Sequence, residues 1–90
     1  MRDVYGVAAF RSRQQVLRFE QALRRRGVPV RVISTPRDIS MGCGLSVRFP
    51  LEAMGEARRA LLVENPGNLI GLYRAEYDGQ HLRVSPAGGM

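Results

Sequence analysis

The chain opens on a short, nearly continuous apolar run, Val4–Phe10 (VYGVAAF). A run of this length without alternation belongs to a strand buried on both faces, so a central strand is expected here. Gly6 inside it marks either a close backbone approach or a tolerated weak spot. The period then changes to that of a helix. Val16, Phe19 and Leu23 recur at i, i+3 and i+7 on one apolar stripe, and Ser12 with Gln15 three residues on makes a capping-box pattern in front of it. Glu20 and Arg24 are spaced for an i,i+4 pair on the outer face. Arg24, Arg25 and Arg26 crowd the last turn, where cations complement the helix dipole, and Gly27 is a natural stop.

Val28, Val30 and Val32 alternate through a second strand, VPVRVI, which Pro29 sets near an edge or at its own start. In a third strand Leu45, Val47 and Phe49 share one face, with Ser46 and Arg48 on the other. Leu51, Met54, Ala57 and Leu61 carry a second helical stripe, with Glu52 and Glu56 early, Arg58 and Arg59 late, and Asn65-Pro66-Gly67 as its stop. Leu69–Tyr77 reads as the last long strand. Asp78-Gly79 is a hairpin signal, so Gln80–Val84 is expected to fold back as a short extra strand, and Ser85–Met90 to fray. The order β-α-β-β-α-β predicts an α+β class, the ferredoxin-like split βαβ plan. That is an antiparallel sheet with both helices on one face, here with a short additional C-terminal hairpin strand. The expected organisation is one domain over residues 1–84 and a flexible tail over 85–90.

Length and charge narrow the functional classes. Ninety residues suit one domain with a modest core, burying about 60–65% of the unfolded surface. A single cysteine excludes an intrachain disulfide, and no apolar run approaches the roughly 18–20 residues of a membrane span. No secretory pattern precedes the first strand, so the expected location is a reducing cytoplasm. Fourteen basic against eight acidic residues give +6, a balance often met in domains that bind nucleic acid. All fourteen are arginine, however, which looks like a proteome bias, and the expected state is a solvated basic surface. No strand carries the aromatic-rich motif that stacks bases, and Phe10, Phe49 and Tyr73 read as core or strand-edge residues. Nucleic acid is therefore not the expected partner. One cysteine and one histidine cannot close a structural zinc site, and no nucleophile–base pair suggests a hydrolase. His81 sits on the accessory hairpin with no carboxylate and cysteine around it. No cofactor is implied.

The second and third strands could be joined by a turn of a few residues. This chain spends ten, Ser34 to Cys43, followed by Gly44. A long loop in so small a domain is more often functional than decorative. Thr35 as N-cap, Pro36 at the first helical position and Asp38 in the first turn suit one short helical turn. Gly42 and Gly44 flank the only thiol, Cys43, and leave little bulk to shield its sulfur. Free cysteines are usually small buried hydrophobes, but Gly-Cys-Gly is not an apolar strand face. A reactive thiol needs nearby positive charge, and Arg37 and Arg48 are the candidates.

Thr35-Pro36-Arg37-x-Ile39-Ser40-x-x-Cys43-Gly44, after Val32-Ile33, resembles the signature of the selenium/sulfur carrier-like family of small domains. The similarity takes in Phe10, the Leu23 to Gly27 helix end and Val47-Arg48-Phe49, and covers roughly Val4 to Tyr73. Arg74–Met90 lies outside it. The resemblance implies that Cys43 accepts a sulfane sulfur or selenium atom from a desulfurase-like donor protein and passes it to an acceptor enzyme. Arg37 would stabilise the thiolate or an anion, unless it merely makes a surface ion pair. Thr35, Pro36, Ser40, Gly42 and Gly44 would shape the loop. Such a protein is a carrier more than a turnover enzyme, with no metal and no membrane. The competing classes are a non-catalytic interaction or regulatory module of the same fold and, behind it, an RNA-binding domain. Edge strands leave a homodimer open.

Overall fold

The computed structural model describes residues 2–40, 44–64 and 69–87. The elements follow in the order β1 (Asp3–Phe10), α1 (Arg13–Arg25), β2 (Arg31–Ser34), β3 (Leu45–Pro50), a 3₁₀ turn (Leu51–Ala53), α2 (Met54–Glu64), β4 (Leu69–Tyr77) and β5 (Leu82–Pro86). The strands form one antiparallel sheet in the order β2-β3-β1-β4-β5. Five antiparallel strands with two helices make an α+β domain compatible with the ferredoxin-like plan.

The apolar first run takes the middle of the sheet because it has no polar face to offer water. Ala8 and Phe10 point to the helices, where they join Val16, Phe19 and Leu23 of α1, Val47 and Phe49 of β3, Ala57, Ala60 and Leu61 of α2, and Leu72 of β4. Burying each large apolar side chain contributes about 1.5–3 kcal/mol. Phe10 and Phe19 meet tilted, with ring centroids 5.3 Å apart. Tyr5, Val7 and Ala75 point the other way and form a smaller cluster with Ile33, Tyr73, Leu82, Val84 and, from the β2–β3 loop, Ile39. Gly6 is a close approach. A Cβ built on it would stand 2.2 Å from the ring of Phe49, its cross-strand partner.

Helix α1 ends as its residues dictate. Gly27 has φ +79°, its amide bonds the Arg24 carbonyl, and the Val28 amide bonds the Leu23 carbonyl, both at 3.0 Å. The arginine triplet is tied down by carboxylates: Arg24 to Glu20 at 3.0 Å, Arg26 to Glu56 at 3.1 Å and Arg25 to Glu64 at 3.7 Å. At the other end Ser12 has the extended backbone of an N-cap, but its hydroxyl makes no capping bond. The expected capping box is not formed, since among the described residues the Gln15 side chain makes no hydrogen bond either.

Two strand boundaries differ from expectation. β2 starts at Arg31 and not Val28, because the Val28 amide closes α1 and Pro29 has none to give a ladder. It does lie at the sheet edge, as Pro29 suggested. β5 starts at Leu82 because the Asp78 carboxylate holds the amides of Gln80 (2.9 Å) and His81 (2.8 Å) inside the turn. Of the tail expected to fray, Ser85 and Pro86 belong to β5 and the Ala87 amide bonds the Leu72 carbonyl at 2.9 Å, while residues 88–90 lie outside the described residues. The expected helix stop Asn65-Pro66-Gly67 lies outside the described residues. No helix among the described residues is long and apolar enough to cross a membrane.

Candidate functional site

The loop that joins β2 to β3 leaves the sheet at Ser34, paired with Leu45. Its first residue beyond the strand, Thr35, anchors both ends. The Thr35 amide donates to the Gly44 carbonyl at 3.0 Å. The Thr35 hydroxyl shares a 2.7 Å hydrogen bond with the hydroxyl of Ser46 on β3. Thr35 is 9% exposed and Ser46 fully buried, so each hydroxyl depends on the other for its partner. Gly44 fits against this pair: a Cβ there would stand 3.2 Å from Thr35 Oγ1 and 3.7 Å from the Phe10 carbonyl oxygen.

Past Thr35 the chain makes one turn. The Pro36 carbonyl accepts from the amides of Ile39 (2.9 Å) and Ser40 (3.1 Å). The expected helical turn is present, but Thr35 does not cap it with its side chain, because the hydroxyl is spent on Ser46. Ser40 closes the turn through its amide. Ile39 folds back onto the helix-free face of the sheet, beside Tyr5, Val7 and Ala75. The described part of the loop therefore lies over that face, and this is why Ser46 is buried. The alternation of β3 identified Ser46 only as a residue off the core face. The available signal was Ile39, a large apolar residue in an otherwise polar loop.

The two candidate cations are placed differently. Arg37 is exposed and makes no hydrogen bond or ion pair with another described residue. The surface ion pair considered for it is thus not formed among the described residues. Arg48 points to the far end of the sheet. There it bonds Asp3 at 2.5 Å and lies over the Tyr5 ring, 3.7 Å from its centroid. Cys43 and Gly42, the centre of the expected site, lie outside the described residues. His81 is exposed in the β4–β5 turn, and among the described residues no three His, Cys, Asp or Glu side chains group as metal ligands.

A groove of about 370 Å³ lies at the far end, lined by Asp3, Tyr5, Arg31, Arg48 and Glu52 among others. Arg31 and Arg48 face each other directly across β2 and β3. Two carboxylates offset the two guanidiniums, and Arg48 is already engaged, so the groove does not gather an anion. It is also at the opposite end of the strands from Gly44, since Leu45 pairs with Phe10 while Pro50 pairs with Tyr5.

A family model described as "Putative Se/S carrier protein-like" matches residues 5–74, within one residue at each end of the similarity read from the sequence motif. No characterised protein and no solved structure matches the chain.

Proposed function

The chain belongs to the Se/S carrier protein-like family, and from that membership we propose that it is a carrier whose cargo atom sits on Cys43. The observation that carries this reading is the extent of the match. Residues 5–74 take in the whole β2–β3 loop and with it the chain's one cysteine. No other side chain here can form a persulfide.

Loading is a transfer without net oxidation. The Cys43 thiolate attacks the outer sulfur of a donor's persulfide, R–S–SH. The new S–S bond gives Cys43–S–SH, and the donor cysteine leaves as R–S⁻. A selenium atom in the outer position, R–S–SeH, moves in the same way. Delivery repeats the step, with an acceptor thiolate attacking the outer atom and Cys43 leaving as thiolate. With no second cysteine, release cannot run through an internal disulfide, so an acceptor thiol or an external reductant completes it. Arg37 raises the thiolate fraction by its charge. Gly42 and Gly44 keep the sulfur open to in-line attack, and Thr35, Pro36 and Ser40 hold the loop's shape. The partners are a desulfurase-like donor and an acceptor enzyme. A thiol in this role belongs in a reducing compartment, the cytoplasm.

The test is intact mass after incubation with a cysteine desulfurase and its substrate. One added sulfur atom is expected, removable by a thiol reductant and absent in Cys43→Ser. Arg37→Ala should load more slowly yet fully. If an unfolded variant with the same cysteine loads as fast as the native domain, the loop gives no assistance. The reading then passes to a non-catalytic interaction module.

A further inference from the structure

We propose that the end of the sheet at which the loop is anchored is a docking surface for an acidic protein face, built from Arg11, Arg13 and Arg37. The proposal rests on the carrier reading, in which a donor and an acceptor must approach this end.

Three observations put the backbone of these arginines at the same end of the sheet. Arg11 follows Phe10, which pairs with Leu45 and Leu69 and whose carbonyl oxygen lies 3.7 Å from the position of a Gly44 Cβ. Arg13 opens α1 at the same end. Arg37 stands two residues after Thr35, whose amide is bonded to Gly44 at 3.0 Å. All three are exposed, and among the described residues none makes a side-chain hydrogen bond or an ion pair.

Elsewhere among the described residues most arginines meet a carboxylate, although Arg18 on α1 and Arg31 on β2 are exposed without one. Glu56 takes up Arg26 and Arg59, Glu76 takes up Arg2 and Arg74, and Asp3 takes up Arg48. Along the segments that carry these three arginines the one carboxylate is Asp38, beside Arg37 in sequence, and it too is exposed. Arg13 moreover sits in the first turn of α1 with no acidic residue beside it. A cation there opposes the helix dipole. Local rules are broken in this way where a surface needs the charge for something else.

The chemistry selects a protein over a nucleic acid. Single-stranded nucleic acid binds by stacking bases on exposed aromatics. Among the described residues the aromatics towards this end are Phe10, which is buried, and Tyr73, half-buried in the cluster that also takes Ile39; the exposed Tyr77 pairs with Asp3 at the opposite end. Arginines without a stacking platform suit carboxylates, which they grip in bidentate pairs.

The test uses the intact domain and two synthetic peptides. Each carries one cysteine as a mixed disulfide with thionitrobenzoate. One peptide is rich in Glu and Asp, and the other has Gln and Asn in their place. The Cys43 thiolate attacks the peptide sulfur and thionitrobenzoate leaves as a coloured thiolate, so the readout does not require sulfur carrying. The acidic peptide should react about tenfold faster at low ionic strength. The ratio should fall towards one at about 1 M salt, where charges are screened beyond about 3 Å. Arg11→Gln and Arg13→Gln should each lower the ratio about twofold, the triple variant should nearly abolish it, and Arg83→Gln should leave it unchanged. Circular dichroism on each variant checks the fold, and the salt series on the native domain stands whether or not the triple variant folds. A ratio near one in the native domain, a ratio indifferent to salt, or no exchange with either peptide would overturn the proposal. So would an RNA oligonucleotide that displaces the acidic peptide at physiological salt. Should the ratio fail while the sulfur adduct forms, the carrier reading stands without this surface.

Discussion

Thr35 and Ser46 hold each other: their hydroxyl oxygens lie 2.7 Å apart in a seam sealed from water, one on the loop and one on the strand after it. Removing one hydroxyl strands the other without a partner, a cost of about 1–3 kcal/mol. Thr35→Val and Ser46→Ala should each destabilise by that amount in urea denaturation. The double variant should cost clearly less than the sum. Additive costs would mean that the two groups do not depend on each other.

Gly6 gives a second stability test. A Cβ there would stand 2.2 Å from the Phe49 ring, and Phe49 is only 1% exposed, so the ring has nowhere to turn. Gly6→Ala should cost about 1–3 kcal/mol by overpacking. Pairing it with Phe49→Leu should recover part of the loss. If Gly6→Ala melts like the native protein, the close approach of β1 and β3 is wrong.

Two adjacent leucines of α2 should behave oppositely. Leu61 is 5% exposed against the sheet and Leu62 is 81% exposed. Leu61→Ala should cost about 2–5 kcal/mol. Leu62→Ala should stay within about 0.5 kcal/mol. Equal effects would show that α2 is rotated from the orientation described.

Acid should weaken the fold through three surface carboxylates. Hydrogen bonds from Arg59 and then Arg26 hold Glu56 below the usual carboxylate range, and those from Arg2 and Arg74 do the same for Glu76. Asp78 is lowered by the amides of His81 and Gln80. In each the folded state ionises more readily than the unfolded one. Their contribution is therefore complete above the ordinary carboxylate pKa of about 4 and is lost as pH falls through the lowered folded values. Denaturation midpoints followed from about pH 6 to about pH 3 should fall, and less steeply in Glu76→Gln. An unchanged slope in that variant would remove Glu76 from the account.

Much of the fold was legible in periodicity alone. The apolar run at Val4–Phe10 and the Val16, Phe19, Leu23 stripe are one-dimensional patterns set by burial, and the sheet and α1 follow them. The strand starts were less legible, because they depend on where single amides go: Val28 to Leu23, and His81 to Asp78. Ser46 was illegible as a site residue. Nothing along the chain says that a segment seven residues earlier, at Ile39, will cover its face of the sheet. Pairing between a loop and a strand is a tertiary fact, and alternation reports only which side a residue faces.

The position of β1 has a consequence for how the molecule comes into being. The strand translated first lies between two strands translated much later, with Tyr5 opposite Pro50 on one side and Asp3 opposite Tyr77 on the other. A nascent chain that has reached Pro50 can sheathe only one flank of β1 and must keep the other from strangers until Leu69–Tyr77 arrives. Contacts this distant in sequence make folding slow relative to helical domains of the same size. Synthesis of this protein thus carries an interval in which its most apolar strand is half dressed, and a shortage of chaperones should be felt during that interval before the finished domain shows any sign of it.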